Sequence, residues 1–406
     1  MAEAGVEGRL LIDLGWRRGR VTGVSVHSTR PLNMPRMFCG KKPAEVAVAL
    51  PLIYSVCGVA QGCAAAEALE QALGMPVSPA VRHRRRLLIA FETLKEHLWQ
   101  IELKWTRFLD RAPDRRGITQ LFSLMQDFRA AHFPAGRLFA AEDSNVQATP
   151  VQFADRLDDL ERYLDSRIFS QPRQSWLEIC DRQSLSKWSR RCATVAQQML
   201  FQVENRGQAG LGRTRIAALG ALDAKYLNRR LTGAGADQFI AQPDWQDAPA
   251  ETSAFTRHCD HPLLLSLAKE WGNGLLTRAA ARLVELALLT DELRNGIVDP
   301  GTSDSVENGP CVGPGIGISQ VEAARGRLVH RAELAAGRVA NYQILAPTEW
   351  NFHPKGVLAG SLLGLAAGNT ADLQQRAELL INAIDPCVGY QLRIGVSESN
   401  GEPGRE

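Results

Sequence analysis

Eight cysteines, at positions 39, 57, 63, 180, 192, 259, 311 and 387, are the side chains of this 406-residue sequence best suited to soft-metal or nucleophilic chemistry. No two of them form a C-x-x-C pair, which argues against a tetrahedral zinc site built from paired thiolates. The string His258-Cys259-Asp260-His261 carries metal-binding donor types, but adjacent residues point in different directions, and it reads as a polar loop. Gly313-Pro314-Gly315-Ile316-Gly317 lacks both the G-K-S/T ending of a phosphate loop and the G-x-G-x-x-G spacing, so it reads as a turn. No serine sits in G-x-S-x-G, and His97, in an apolar helical segment, reads as a satisfied core residue. The basic run Arg82-His83-Arg84-Arg85-Arg86 has no interleaved aromatics for base stacking. It reads as a solvated helix face, with docking onto an acidic protein partner as the alternative and no nucleic acid expected.

The elements that must position these groups are mostly helices. Ala44 to Leu73, Arg86 to Arg107, Val151 to Asp165, Leu185 to Val203, Leu263 to Thr290 and Gly360 to Ile384 carry apolar residues at three- and four-residue spacing. Arg9 to Val26 alternates apolar and polar residues around Gly15 and Gly19, which predicts a β-hairpin over 7–26. Strands are otherwise scarce, and Ala241 to Thr252 and Asp299 to Gly317 have the composition of linkers. Val46 to Ala66 carries no charge and is long enough to span a bilayer, but Pro51, Ser55, Gly58 and Gln61 interrupt it. A buried core helix is the expectation there, and no membrane partner.

Composition narrows the class. With 47 basic against 44 acidic residues and 45% apolar side chains, the sequence describes a soluble globular protein with no global pull toward nucleic acid or anionic lipid. A chain of this length buries roughly three quarters of its extended surface, so no metal or disulfide staple is needed to hold it. The start, Met1-Ala2-Glu3-Ala4, has no basic-then-apolar signal pattern, and the expectation is a cytoplasmic protein with reduced thiols.

Four segments, taken in order, carry a resemblance. They are Val6-Glu7-Gly8-Arg9-Leu10; Cys39-Gly40-Lys41-Lys42-Pro43 leading to Ser55-Val56-Cys57-Gly58-Val59-Ala60; Glu322-Ala323-Ala324-Arg325-Gly326-Arg327-Leu328-Val329-His330 leading to Pro347-Thr348-Glu349-Trp350-Asn351; and Asp385-Pro386-Cys387. Together they resemble the large subunit of nickel-iron hydrogenases, whose pattern is R-x-E-G-H, then R-x-C-G-x-C-x-x-x-H, then E-A-P-R-G-x-L-x-H and P-T-T-W-N, and last D-P-C-x-x-C-x-x-H. The resemblance implies a single domain over 1–406 with long central helices, mainly α with a small β element near the N-terminus. Residues 396–406 are expected to form a flexible tail.

The departures from that pattern are chemical. In the family, the first cysteine of each C-x-x-C pair binds nickel and the second bridges nickel to an iron carrying cyanide and carbonyl. Cys57 and Cys387 keep the first positions, while Ala60 and Tyr390 stand at the bridging positions and Ala64 and Arg393 at the histidines. Alanine binds no metal and a phenol is a harder, weaker ligand than thiolate, so the bridged centre is not assembled in the family's way. Arg9 and Ser55 also replace a family His and Arg. The resemblance gives Arg325 and Thr348, with Pro347 beside it, to the diatomic ligands of the iron, and matches Glu7 and His330 to family positions. Cys63 is an additional thiolate candidate, and Cys39 a weaker one.

A hydrogenase-like chain without the bridging ligands resembles the HupK (HoxV) group of accessory proteins. The implied role is a scaffold that transiently holds an iron dicyanide carbonyl unit, without nickel, and hands it to the hydrogenase large subunit alongside other maturation proteins. The alternatives are a metal-free chaperone mimicking the large subunit to engage the small subunit or an assembly factor, and a residual hydrogenase. No enzymatic activity is expected.

Overall fold

The apolar spacing does form helices, but the backbone breaks several of them where the site has to be built. A computed structural model describes residues 8–133, 137–141, 150–298 and 312–396. The uncharged stretch divides into α1 (Pro43–Ile53) and α2 (Gly58–Leu73), which meet at 98° across the short turn Ser55–Cys57. Pro51 inside α1 weakens its last turn, and Gly58 is needed at the corner because a Cβ there would lie 2.8 Å from the Pro51 carbonyl oxygen. Among the described residues no single helix is long and apolar enough to cross a membrane, and only the bent pair together reaches that length. α2 is nearly all buried, whereas α1 turns Val48 and Leu52 outward, so the expected core helix is realised in the second half alone.

α3 (Pro79–Trp99) starts on Ser78, whose hydroxyl accepts from the Val81 amide, and packs Leu88, Phe91, Leu94 and Leu98 into the largest apolar core. That core includes Leu276, Ala280, Leu283 and Ala287 of the long helix Leu275–Val298. The run Arg82 to Arg86 is not simply a solvated face: Arg85 is buried and donates from both terminal nitrogens to Glu70, at 2.7 and 2.6 Å. α3 then widens into a π-helical stretch, Gln100–Trp105, a local irregularity that often marks functional positions. The expected helix over Leu185 to Val203 is interrupted into Arg182–Ser189 and Val195–Asn205, with Cys192 between them at φ +51°. Leu263 to Thr290 is broken in the same way at Gly272, and Gly360 to Ile384 between Leu362 and Thr370.

Strands are more abundant than expected. β1 (Arg9–Arg17) and β2 (Arg20–Ser28) form the hairpin, which runs to Ser28, and β1 also pairs in parallel with a third strand, Gly389–Val396. The chain from Gly389 is therefore strand up to Val396, and the rest of the expected tail lies outside the described residues, as does Glu7. A second sheet, antiparallel, joins Ile316–Ala323, Gly326–Ala335 and Arg338–Leu345. α2 lies on it through Ala60, Ala64, Ala65 and Ala68 against Ala332, Tyr342 and Ile344. Contact is so close that a Cβ on Gly317 would overlap the Ala68 carbonyl oxygen.

The segment 241–252 is not a linker. Ala250, Glu251 and Thr252 are buried, and Glu251 pairs with Arg278 of the long helix. Of the other proposed linker, residues 299–311 lie outside the described residues, and Gly313 to Gly317 forms a turn leading into the second sheet, as read.

Candidate thiol site

Cys57 sits at the N-cap of α2, where Glu92 of α3 supplies the cap. Its two carboxylate oxygens accept from the Val59 and Ala60 amides, each at 2.9 Å. This arrangement holds the first turn of α2 rigidly behind the sulfur. Cys387 arrives from the other end of the chain. The helix Thr370–Ile384 ends on Asp385 in the left-handed region at φ +67°, a conformation aspartate tolerates better than most residues, and the chain turns through Pro386 to Cys387. Both cysteines are half-buried and line one cavity of about 40 Å³, enough for a few water-sized groups. Arg30, Tyr54, Ile344, Ala346 and Glu349 share its walls.

Each sulfur has one close polar neighbour of its own. The Thr348 hydroxyl lies 2.6 Å from the Cys387 Sγ, and the Gln61 Nε2 lies 3.7 Å from the Cys57 Sγ. Thr348 is carried by the short helix Pro347–Asn351, with Pro347 in its first turn, where a missing amide costs nothing. Glu349 in the same turn accepts from the Ala346 amide at 3.1 Å and from Arg30 Nη1 at 2.6 Å. The Arg30–Glu349 pair was not singled out from the sequence. Glu349 lay inside a quoted segment as one of its letters, and nothing near Arg30 signalled a partner 319 residues away.

Arg325 stands at the turn between two strands of the second sheet. Gly326, at φ +127°, makes that turn, and Asn351 Nδ2 donates to the Arg325 carbonyl at 3.1 Å to fix it. The guanidinium is buried between Glu96, at 3.0 Å, and Asp385, at 3.5 Å. Its Nη1 has no hydrogen-bond partner among the described residues. Asp385 is further held by Lys104 at 3.4 Å, by Arg282 at 3.7 Å and by Gln100 of the π-helical stretch.

These charges set the protonation states. Burial would lower the Arg325 guanidinium, but the Asp385 and Glu96 carboxylates outweigh it and hold the cation above its ordinary range. Burial would likewise raise Asp385, and Arg325, Lys104 and Arg282 hold it below the usual carboxylate value. Cys57 goes the other way. Burial, then the neighbouring Cys387 and the Glu92 carboxylate, push its thiol up to about 12, against the opposing pull of Arg325 and Gln61. Without a metal, the Cys57 sulfur therefore carries its proton at neutral pH.

The remaining candidates go elsewhere. Cys63 is buried one turn along α2, 3.8 Å from the Arg85 carbonyl, and lines a separate cavity of about 420 Å³ with Glu67, Arg257 and Glu285. Cys39 is exposed and bonds the Ala340 carbonyl at 3.3 Å. Tyr390, on the strand Gly389–Val396, directs its hydroxyl to Asn382 at 3.3 Å and lines yet another cavity, away from the thiols. Ala60 and Ala64 are fully buried under the second sheet. His330 is buried on that sheet, 2.8 Å from the Tyr342 hydroxyl and 2.9 Å from Gln61 Oε1. His97 is a core histidine as read, paired with Glu285 at 2.6 Å. His258 of the polar string bonds the same carboxylate at 3.1 Å. Among the described residues no three His, Cys, Asp or Glu side chains converge as a metal cluster.

The geometry can thus offer a soft ligand two thiols, with a buried cation, Arg325, near enough to act on Cys57 and with a donor to spare. Comparisons with known proteins bear on it. The family model for nickel-dependent hydrogenases matches residues 252–389. The chain is 30% identical to the hydrogenase expression/formation protein HoxV of Cupriavidus necator, covering 95% of this chain and 96% of that one. It is 27% identical to the hydrogenase expression/formation protein HupK of Rhizobium leguminosarum bv. viciae, over 95% and 96% of the two chains. Its fold is similar to a chain of the Ni-Fe-Se hydrogenase of D. vulgaris Hildenborough, with a TM-score of 0.64 over 92% of this chain and 94% of that one at 15% identity.

Proposed function

Since this chain belongs to the family of hydrogenase expression/formation proteins of the HoxV and HupK type, built on the large-subunit fold of nickel-iron hydrogenases, we propose that it serves hydrogenase maturation as a non-catalytic scaffold. Its cargo in this reading is an iron dicyanide carbonyl unit, held transiently on Cys57 and Cys387 and passed to a hydrogenase large subunit. Its partners are that subunit and other maturation proteins, and nickel is not part of the cargo.

The observation that carries the reading is the pair of thiols opening on one small cavity. Two thiolates hold a metal less tightly than four, and a scaffold must keep the free energy of onward transfer small or favourable. Arg325 supports the same reading, because its unpartnered Nη1 is the kind of buried cationic donor that a metal-bound anionic ligand satisfies with a charge-assisted bond. Thr348 has its hydroxyl already on the Cys387 sulfur, so it also fixes where that thiol points. Because Cys57 is protonated before loading, uptake of a metal displaces a proton, and loading is favoured as pH rises. Hydrogenase catalysis is not part of the proposal, since the positions of both bridging thiolates are taken by Ala60, packed under a sheet, and by Tyr390, turned to another cavity.

The test is an infrared spectrum of protein purified without oxygen from cells that express the maturation genes, with a count of bound iron and nickel. Cyanide and carbonyl stretches with iron and without nickel are expected, and Cys57→Ser or Cys387→Ser should remove them and stop hydrogenase maturation. A bare spectrum, with both serine variants still supporting maturation, sinks the cargo reading and leaves a metal-free chaperone.

A further inference from the structure

We propose that Gln61 is a positioning residue for the Cys57 sulfur, aimed by a buried hydrogen-bond chain that runs from Tyr342 through His330. The chain rests on three contacts. The Tyr342 hydroxyl is 2.8 Å from His330 Nδ1, His330 Nε2 is 2.9 Å from Gln61 Oε1, and Gln61 Nε2 is 3.7 Å from Cys57 Sγ, within reach of an N–H···S bond. The three supporting residues are buried, at 1%, 0% and 1% exposure for Gln61, His330 and Tyr342.

The donor sense follows from chemistry. An amide oxygen only accepts, so His330 Nε2 carries the hydrogen, and Nδ1 is left to accept from the phenol. That tautomer pins the Gln61 oxygen on the histidine and leaves its N–H₂ group facing the sulfur. The members come from α2 and from two strands of the second sheet, so the amide is aimed by the packing of that helix on the sheet and not by local backbone. Burial keeps His330 neutral, with its pKa lowered to about 3, so the chain keeps one polarity across the physiological range.

An N–H donated to sulfur stabilises the thiolate and draws charge off it. Cys57 then reacts faster than its burial alone would allow, yet makes a weaker donor to a soft metal than an unbonded thiolate. The inference rests on the scaffold reading only for what Cys57 holds; the sulfur's reactivity is a property of the metal-free protein.

The experiment is the alkylation rate of Cys57 by iodoacetamide at one fixed pH, read by mass spectrometry on its own peptide, in metal-free Cys387→Ser protein. Gln61→Leu is expected to slow alkylation about fivefold to tenfold. Tyr342→Phe, which removes only a hydroxyl two links away, should slow it by a smaller factor in the same direction. If Gln61→Leu fails to fold, as judged by its circular dichroism melt, the folded Tyr342→Phe protein decides. Unchanged or faster alkylation in the folded variants overturns the proposal, even where the wild-type protein carries cyanide and carbonyl bands. Slower alkylation supports it, even where those bands are missing and the cargo reading has fallen.

Discussion

Cys57 and Cys387 face one cavity, but they are held by opposite kinds of structure. Cys57 begins a helix, and everything fixing it is neutral or locally capped: Glu92 takes the two leading amides, and the Gln61 amide is aimed by a neutral histidine. A cysteine at a helix N-terminus is often an acidified, reactive thiol. Here burial and the neighbouring Cys387 hold the thiol high, and Glu92 adds to them with its negative charge while it consumes the leading amides that would stabilise the thiolate. Cys387 follows a helix C-terminus, and its surroundings are ionic, with Asp385 two residues back bound among Arg325, Lys104 and Arg282. The lesson is that one half of the site is built to hold geometry, and the other to hold charge. Two thiols of the same type in the same cavity need not be equivalent ligands.

That contrast can be broken first at its charged end. Arg325→Met leaves Asp385 and Glu96 buried beside an apolar side chain. Losing one partner of a buried ion pair costs about 3–5 kcal/mol, a loss that denaturant unfolding at neutral pH will show. A loss under about 1 kcal/mol would mean that Lys104 and Arg282 already neutralise the cluster and that Arg325 is there for a ligand alone.

The neutral end answers to pH. His330 titrates near 3 in the folded protein against an ordinary value of 6.5, so below pH 6.5 only the unfolded chain takes up the proton. The stability it contributes is level above pH 6.5 and is lost as pH falls from 6.5 toward 3, at up to about 1.4 kcal/mol per pH unit. His330→Phe should flatten the acid side of the stability profile by that amount relative to wild type. An unchanged acid limb would show that His330 is protonated in the folded state and that the two ends do not differ in charge as described.

The smallest effect sharpens the comparison. Thr348→Val keeps the shape of the side chain and removes the hydroxyl at the Cys387 sulfur, for a stability change of about 1 kcal/mol. Its signature should appear in the infrared bands of loaded protein, as a shift or broadening, far more than in the melting temperature. A large fall in stability would place Thr348 with the structural core instead.

Much of the thiol site was legible in the sequence because its members sit in short strings with fixed spacing. Cys57 with Gly58, Arg325 with Gly326, and Asp385 with Cys387 could each be picked out by eye. What stayed hidden is what the fold alone joins. Gln61 and His330 are 269 residues apart, and neither has a local pattern that names the other. The second sheet was missed for a different reason. Its central strand, Gly326–Ala335, has five consecutive buried residues, from Leu328 to Ala332, so the apolar and polar alternation that announces a half-exposed strand is blurred there. The helix breaks were hidden too. Apolar spacing runs straight through Gly272 and Cys192, and tertiary packing decides where the chain turns. The strand Gly389–Val396 was not predicted, because its partner is the first strand of the chain and nothing near it in sequence announces the pairing.

That last pairing has a consequence in time. β1 is made well before its parallel neighbour, which begins two residues after Cys387 and is separated from β1 by most of the described chain. Closing so large a loop is entropically slow, and native contacts of that span form late. The hairpin and the α2 corner can therefore be in place while the cavity still has one sulfur. The second joins the first only once the strand after Cys387 has paired with β1, so the two-thiol cavity depends on a long-range sheet contact and not on local folding.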